Sequence, residues 1–347
     1  MEALWFALAS VMVAIYVVMD GFDFGAGALH LFIAKEDRDR RKILGAIGPF
    51  WDGNEVWLLA GGGVLFLAFP KVLASGLSGF YLAIMLVLWV LILRGISIEF
   101  RSHIKDGMWR AFWDGTFWIS SLLAPILFGA ALGNLLRGVP LNEQGYFSLP
   151  LWASFSPTGE LGILDWYTVI AGVMALVALM HHGALFLAWR TDGEVETKAR
   201  AWASKLFPVM IVVWILTSIA THIVNPAIFP TMVTRPLALL SCAVFLVGLV
   251  LSFTGRKSGK DALAFIGSGL YLLGILAAAA ATIYPTMIFN RPSPEASLTA
   301  LNSAASEQSL RLGLLWWPVG LVIAIIYTVV LFRIHAGKVE VIEGEGY

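Results

Sequence analysis

Val72-Leu73-Ala74-Ser75-Gly76-Leu77-Ser78-Gly79-Phe80-Tyr81-Leu82-Ala83-Ile84-Met85-Leu86-Val87-Leu88-Trp89-Val90-Leu91-Ile92-Leu93 contains no charged residue. A helix rises about 1.5 Å per residue, so about 20 apolar residues cross the hydrocarbon core of a bilayer. The run is therefore long enough to span, and it is one of nine such stretches. The others lie near 3–33, 43–70, 111–136, 163–189, 206–226, 235–254, 261–290 and 311–333. The expected fold is all-α, a polytopic membrane protein of about nine transmembrane helices forming one integral membrane domain over 1–347.

Composition agrees. Hydrophobic residues make up 59% of the 347 and charged residues only 13%, where a soluble domain is about a quarter charged. Mean hydropathy is +0.82. A soluble fold could not hide that much apolar surface. The net charge of zero argues against a nucleic-acid partner, which needs a basic excess. Cys242 is the one cysteine, which excludes an internal disulfide and a cysteine metal cluster. The sequence has no phosphate loop, nucleotide-binding glycine fingerprint or zinc-site spacing, so no metal site and no catalytic residue of this chain is expected. The first apolar run has no basic leader and reads as a mature helix, not a cleaved signal.

The basic residues orient the bundle. Nine spans divide the connections into two alternating sets. Lys71, Arg137, Arg235, Arg291 and Arg311 fall in one set, and the other eighteen of the 23 Lys and Arg fall in the other. Cytoplasmic loops are enriched in Lys and Arg, so the N-terminus is expected outside and the C-terminus inside. A weak internal repeat accompanies this alternation. Gly27-Ala28-Leu29-His30-Leu31 resembles Gly183-Ala184-Leu185-Phe186-Leu187, and Pro49 to Pro70 resembles Pro208 to Pro230. It suggests two parallel four-helix halves, 1–136 and 163–290, followed by a ninth helix at 311–333, with chance similarity of apolar segments as the competing explanation.

Charges within the spans are the strongest functional signal, because each is costly in lipid. The first span carries Asp20 and Asp23, and the second carries Asp52 and Glu55. Each pair is spaced i, i+3 and shares a helix face. Counted from the inner ends of their spans, Asp20 lies about 20 Å deep and Asp52 about 14 Å deep at 1.5 Å per residue. Four carboxyl groups at similar depth suit a proton pathway from the cytoplasm, and they equally suit structural hydrogen bonding between helices. Arg94 and Glu99 close the third span. Arg94 either anchors at the interface or pairs with a carboxylate of the first two spans. The six histidines include His30, the adjacent His181 and His182, and His222. His181 and His182 point about 100° apart around a helix and cannot clamp one haem together. A buried histidine bonded to a neighbouring helix is the commoner arrangement.

Five motifs carry a resemblance. They are Asp20-Gly21-Phe22-Asp23-Phe24-Gly25, Trp51-Asp52-Gly53-Asn54-Glu55-Val56-Trp57-Leu58, Ser78-Gly79-Phe80-Tyr81, Arg94-Gly95-Ile96-Ser97-Ile98-Glu99-Phe100-Arg101 and Ala131-Leu132-Gly133-Asn134-Leu135-Leu136-Arg137-Gly138-Val139-Pro140. In order and spacing over residues 1–140 the chain resembles subunit II of cytochrome bd-type quinol oxidases; beyond that it matches in helix count and length. The resemblance implies a haem-free subunit that supports assembly of a haem-bearing subunit I and contributes a proton path through the acids at Asp20 and Asp52. It implies haem b, with haem d or a further haem b at the oxygen site, in subunit I, which also holds the quinol-oxidising loop. It further implies quinol as substrate, oxygen reduced to water with proton uptake from the cytoplasm and no pumping, and a bacterial cytoplasmic (inner) membrane location among membrane lipids. A structural quinone in subunit II and a small single-helix subunit are further family features. The modest length resembles the cyanide-insensitive branch. Two alternatives stay open on the residues alone: a proton-coupled secondary transporter and a self-sufficient haem protein.

Overall fold

The computed structural model describes residues 1–340. The first span is nearly continuous. Helix α1 (Glu2–Met19) and helix α2 (Gly21–Ile33) meet at Asp20, whose backbone stays right-handed (φ −83°, ψ −16°). A charged helix follows, α3 (Asp37–Ile47), with Asp37 and Asp39 in its first turn where the helix dipole favours acids. Apolar length suggests one span from 43 to 70, but the structure divides this stretch. Pro49 has no N–H to extend the ladder, and a new helix, α4 (Trp51–Ala68), begins after it.

A second division falls in the quoted apolar run. Pro70 starts α5 (Pro70–Gly79), which turns 120° away from α4. Pro suits the first helical turn because its missing N–H would be unpaired there anyway. The crossing helix is α6 (Tyr81–Phe100), so the span expected at 72–93 is shifted toward Arg101. Apolarity does not distinguish a crossing helix from a bent one; proline placement does.

The remaining helices are α7 (Gly107–Arg137), α8 (Trp166–Arg190), α9 (Gly193–Val224), the short α10 (Ile228–Val233), α11 (Pro236–Lys257), α12 (Asp261–Ile283) and α13 (Glu307–Ile334). Between α12 and α13 a small antiparallel pair, β1 (Thr286–Ile288) with β2 (Leu298–Thr299), folds over the bundle end. Among the described residues, eight spans are long and apolar enough to cross a membrane, counting α1 with α2 as one. The bent pair α4–α5 is the ninth candidate. The chain is a multi-pass membrane protein.

Glycine sets the closest packing. A Cβ on Gly25 would lie 1.9 Å from the Leu179 carbonyl oxygen, and one on Gly183 would lie 2.4 Å from the Ala26 nitrogen. The α2 and α8 backbones thus touch, as small residues permit in membrane bundles. By contrast α13 buries little. Tyr327 meets Gly53 of α4, and Trp317 meets Trp5 of α1 edge-on at 6.2 Å.

The ends of the bundle are tied separately. At one end Lys42 pairs with Asp192, Lys338 with Glu196 at 3.4 Å, Arg200 with Asp261 at 2.7 Å and Arg101 with Asp37 at 2.8 Å. At the other, the Ala305 N–H donates to the Ala68 carbonyl at 2.8 Å, and Arg137 pairs with Asp165. The loops holding most of the Lys and Arg therefore gather at one end.

Candidate functional site

The site forms where the first span breaks. Asp20 caps the end of α1 and the start of α2, and Asp23 lies one turn on. Arg94 of α6 donates to both Asp20 oxygens, from Nη1 at 2.5 Å and from Nη2 at 3.1 Å. Its Nη2 also donates to Glu55 of α4. The guanidinium stacks over the Phe24 ring at 4.2 Å. Asn54 Nδ2 donates to Asp23 Oδ2 at 2.8 Å. Asp20, Asp23 and Arg94 are fully buried, while the Glu55 side chain keeps 27% of its exposure.

The charge count is uneven, with three carboxyl groups clustered near one guanidinium, which bonds two of them. Asp23 accepts from the Asn54 amide on Oδ2, and the buried Tyr16 hydroxyl lies one turn before Asp20, beside its carboxyl. Burying an ion pair costs desolvation that bidentate geometry and extra hydrogen bonds must offset. Arg94 has that geometry toward Asp20, and Asp23 does not share in it.

The structure thus joins Asp20, Asp23, Glu55 and Arg94. It leaves Asp52 and Glu99 outside. Asp52 lies in the first turn of α4 and is exposed, because the division at Pro49 puts it at a helix start instead of deep in a span. Glu99 is exposed on α6, where its backbone carbonyl accepts from His103 Nδ1 at 2.7 Å.

A second polar cluster centres on Asp114 of α7, which is 1% exposed. It accepts from His30 Nε2 at 2.7 Å, Arg40 Nη1 at 2.8 Å and Arg101 Nε at 2.6 Å. Arg101 and Arg110 both reach Asp37, at 2.8 and 3.1 Å. The cluster joins α2, α3, α6 and α7. Sequence reasoning did not single out Asp114 and missed this hub. The available signal was that Asp114 is the single acid of the span at 111–136, set against Arg40, Arg101 and Arg110.

Comparison with known proteins decides the family. Residues 1–335 match the model for cytochrome bd terminal oxidase subunit II. The cytochrome bd-I ubiquinol oxidase subunit 2 of Escherichia coli K12 is 32% identical, over 94% of this chain and 91% of that one. The chain belongs to the cytochrome bd oxidase subunit II family. The cytochrome bd ubiquinol oxidase subunit 2 of Bacillus subtilis 168 is 31% identical over 89% of this subunit II and 88% of its own length. In fold, a chain of the bd oxidase structure from Geobacillus thermodenitrificans superposes with a TM-score of 0.74 at 16% identity, covering 96% of this chain and 98% of that one. This subunit II is accordingly part of a quinol:oxygen oxidoreductase complex, and the transporter alternative is set aside.

The histidines of this subunit II bear on where haem could bind. Haem iron needs an imidazole nitrogen free to ligate. His30 Nε2 is held by Asp114. His182 uses both ring nitrogens, Nδ1 to Ser268 at 2.6 Å and Nε2 to the Val18 carbonyl at 3.0 Å. His181 Nδ1 meets the Tyr271 hydroxyl at 3.0 Å, with the two rings stacked. Among the described residues no group of three His, Cys, Asp or Glu could hold a metal ion. The buried histidines bond neighbouring helices, with His30 Nδ1 and His181 Nε2 left without a hydrogen-bond partner.

Proposed function

We propose that this subunit II carries no haem, supports a haem-bearing subunit I, and supplies a proton pathway to the oxygen-reducing site through its buried acids. Reducing oxygen to water consumes protons as well as electrons, so a path from the cytoplasm is required. The observation that carries the reading is Arg94 serving both Asp20 and Glu55 while Asp23 accepts from the Asn54 amide. Structural glue is balanced by one cation per acid. Three carboxyl groups with one cation can instead change their joint proton number, and intramembrane acids commonly mark proton routes. Asp52, exposed one turn from Glu55, would meet the partner surface or the water phase and exchange protons there.

The haem b and haem d (or second haem b) belong to subunit I in this reading. A structural quinone and a small single-helix subunit would complete the assembly. The N-terminus lies outside a bacterial cytoplasmic membrane and the C-terminus inside, a reading supported by the gathering of basic loops at one end. The two-half repeat stands as a proposal about the origin of the bundle.

The test uses the intact complex with Asp23→Asn or Asp52→Asn. Oxygen uptake per haem is expected to fall while the reduced-minus-oxidised haem spectrum keeps its bands. Loss of the bands would make the residue structural, and unchanged uptake would remove it from the path.

A further inference from the structure

Several cations at the basic end of the bundle have a carboxylate partner. Lys198 pairs with Glu194 at 2.6 Å, and Arg200 pairs with Glu196 and with Asp261, both at 2.7 Å. Lys205, further along α9, has none, and neither do Arg256 and Lys257 at the end of α11. Among the described residues none of the three makes an ion pair or a hydrogen bond. The Arg256 Nε is moreover buried without a partner.

Each of the three lies over an aromatic ring instead. Lys205 Nζ is 5.7 Å from the centre of the Trp202 ring, and Lys257 Nζ is 6.0 Å from that of Phe253. The Arg256 guanidinium lies over Phe207 of α9 at 5.3 Å and over Phe253 of α11 at 5.6 Å, so it bridges the two helices. A ring face attracts a cation without replacing an oxygen acceptor for its N–H groups. The donors are therefore left for a group outside the described residues. Simple interfacial anchors reach the headgroup level singly, each from its own helix end. Here two helices bring three positive charges to one end of their contact with no counter-ion, which favours an anion.

Away from this end the contact turns apolar. Phe207 meets Phe253 at 5.6 Å between ring centres, and Trp214 meets Phe245 at 4.9 Å, so α9 and α11 run antiparallel and touch through rings two turns apart. Val209, Val212, Leu246 and Val250, their neighbours along the two helices, are exposed. In a membrane chain such a surface is as well matched to acyl chains as to other apolar side chains.

We propose that the basic end of the α9–α11 contact binds the headgroup of an anionic membrane phospholipid. Lys205, Arg256 and Lys257 surround its phosphate, and an acyl chain lies along Trp214 and Phe245. The arginine fork suits phosphate oxygens, and basic clusters between membrane helices commonly take anionic headgroups. A zwitterionic headgroup carries its own ammonium and would set a fourth cation against these three. The site needs only a membrane chain and does not rest on the proton relay.

The test uses the intact complex in detergent, supplied with phosphatidylglycerol or with phosphatidylcholine. Bound lipid is counted by native mass spectrometry, on the complex and on the subunit II released from it. The wild-type subunit II is expected to retain phosphatidylglycerol in preference to phosphatidylcholine. The variant combining Lys205→Gln, Arg256→Gln and Lys257→Gln is expected to lose affinity for phosphatidylglycerol by about tenfold or more, while its haem spectrum shows that the complex is assembled. Equal retention of the two lipids by the wild type overturns the proposal, as does undiminished phosphatidylglycerol on the variant. Should the variant not assemble, photoactivatable phosphatidylglycerol on the wild-type complex decides. Cross-links within 202–214 and 245–257 support the site, and cross-links confined to other helices overturn it.

Discussion

Arg94 of α6 binds Asp20, at the break between α1 and α2, through both of its terminal nitrogens, at 2.5 and 3.1 Å. Both residues are fully buried, so each is the other's principal substitute for water. Removing one partner of such a pair costs about 3–5 kcal/mol, because a charge is left buried alone. Arg94→Ala is expected to abolish assembly or to lower the melting temperature of the purified complex sharply. Arg94→Lys keeps the charge but loses the fork that serves Asp20 and Glu55 together, and should fall between. Arg94→Gln with Asp20→Asn should lose less than the two single changes added together. Additive losses would show that the pair is not energetically coupled.

The contact of α2 with α8 yields a second prediction. Gly25 and Gly183 face each other's backbones with no room for a Cβ. Gly183→Ala should destabilise by about 1–3 kcal/mol or more through overpacking. Gly62→Ala and Gly63→Ala are the controls, since a Cβ at either meets nothing within 4 Å. There the change should be neutral or slightly stabilising, because alanine is the better helix former. Thermal unfolding followed by tryptophan fluorescence separates the cases, and equal effects at both sites would contradict the packing.

The tie between Lys42 of α3 and Asp192 ahead of α9 is expected to depend on pH. The Lys42 ammonium holds the Asp192 carboxyl below its ordinary value of 3.8. A carboxyl whose folded-state pKa is depressed stabilises the fold fully above its unfolded pKa and loses that contribution as pH falls through the lower folded value. Asp192 is largely exposed, so the contribution is small, up to ~1 kcal/mol. The melting temperature of Asp192→Asn should lie slightly below that of the wild type above about pH 5, and the two should converge below 3.8. A gap that widens on acidification would reverse the sign of the coupling.

The apolar stretches indicated, from sequence alone, a polytopic membrane chain of about nine spans, where the described residues hold eight and a bent ninth candidate. Lipid accepts only helices whose backbone groups are satisfied internally, so length and apolarity suffice. The motifs at Asp20–Gly25 and Trp51–Leu58 likewise disclosed the family and marked Asp20, Asp23 and Glu55 as buried polar chemistry. Sequence did not separate Asp52 from those three, because i, i+3 spacing assigns a shared face without saying what that face meets. Pro49 ends one helix and starts another, and the turn at Pro70 redirects the next; together they leave Asp52 exposed while Glu55 reaches Arg94. The Asp114 hub was hidden for a related reason. Its partners His30, Arg40 and Arg101 lie 84, 74 and 13 residues away, and only the packing of α2, α3, α6 and α7 brings them to one carboxylate. Local spacing governs which residues share a helix. The meeting of helices, through glycine contacts and proline breaks, governs which of their charges find one another.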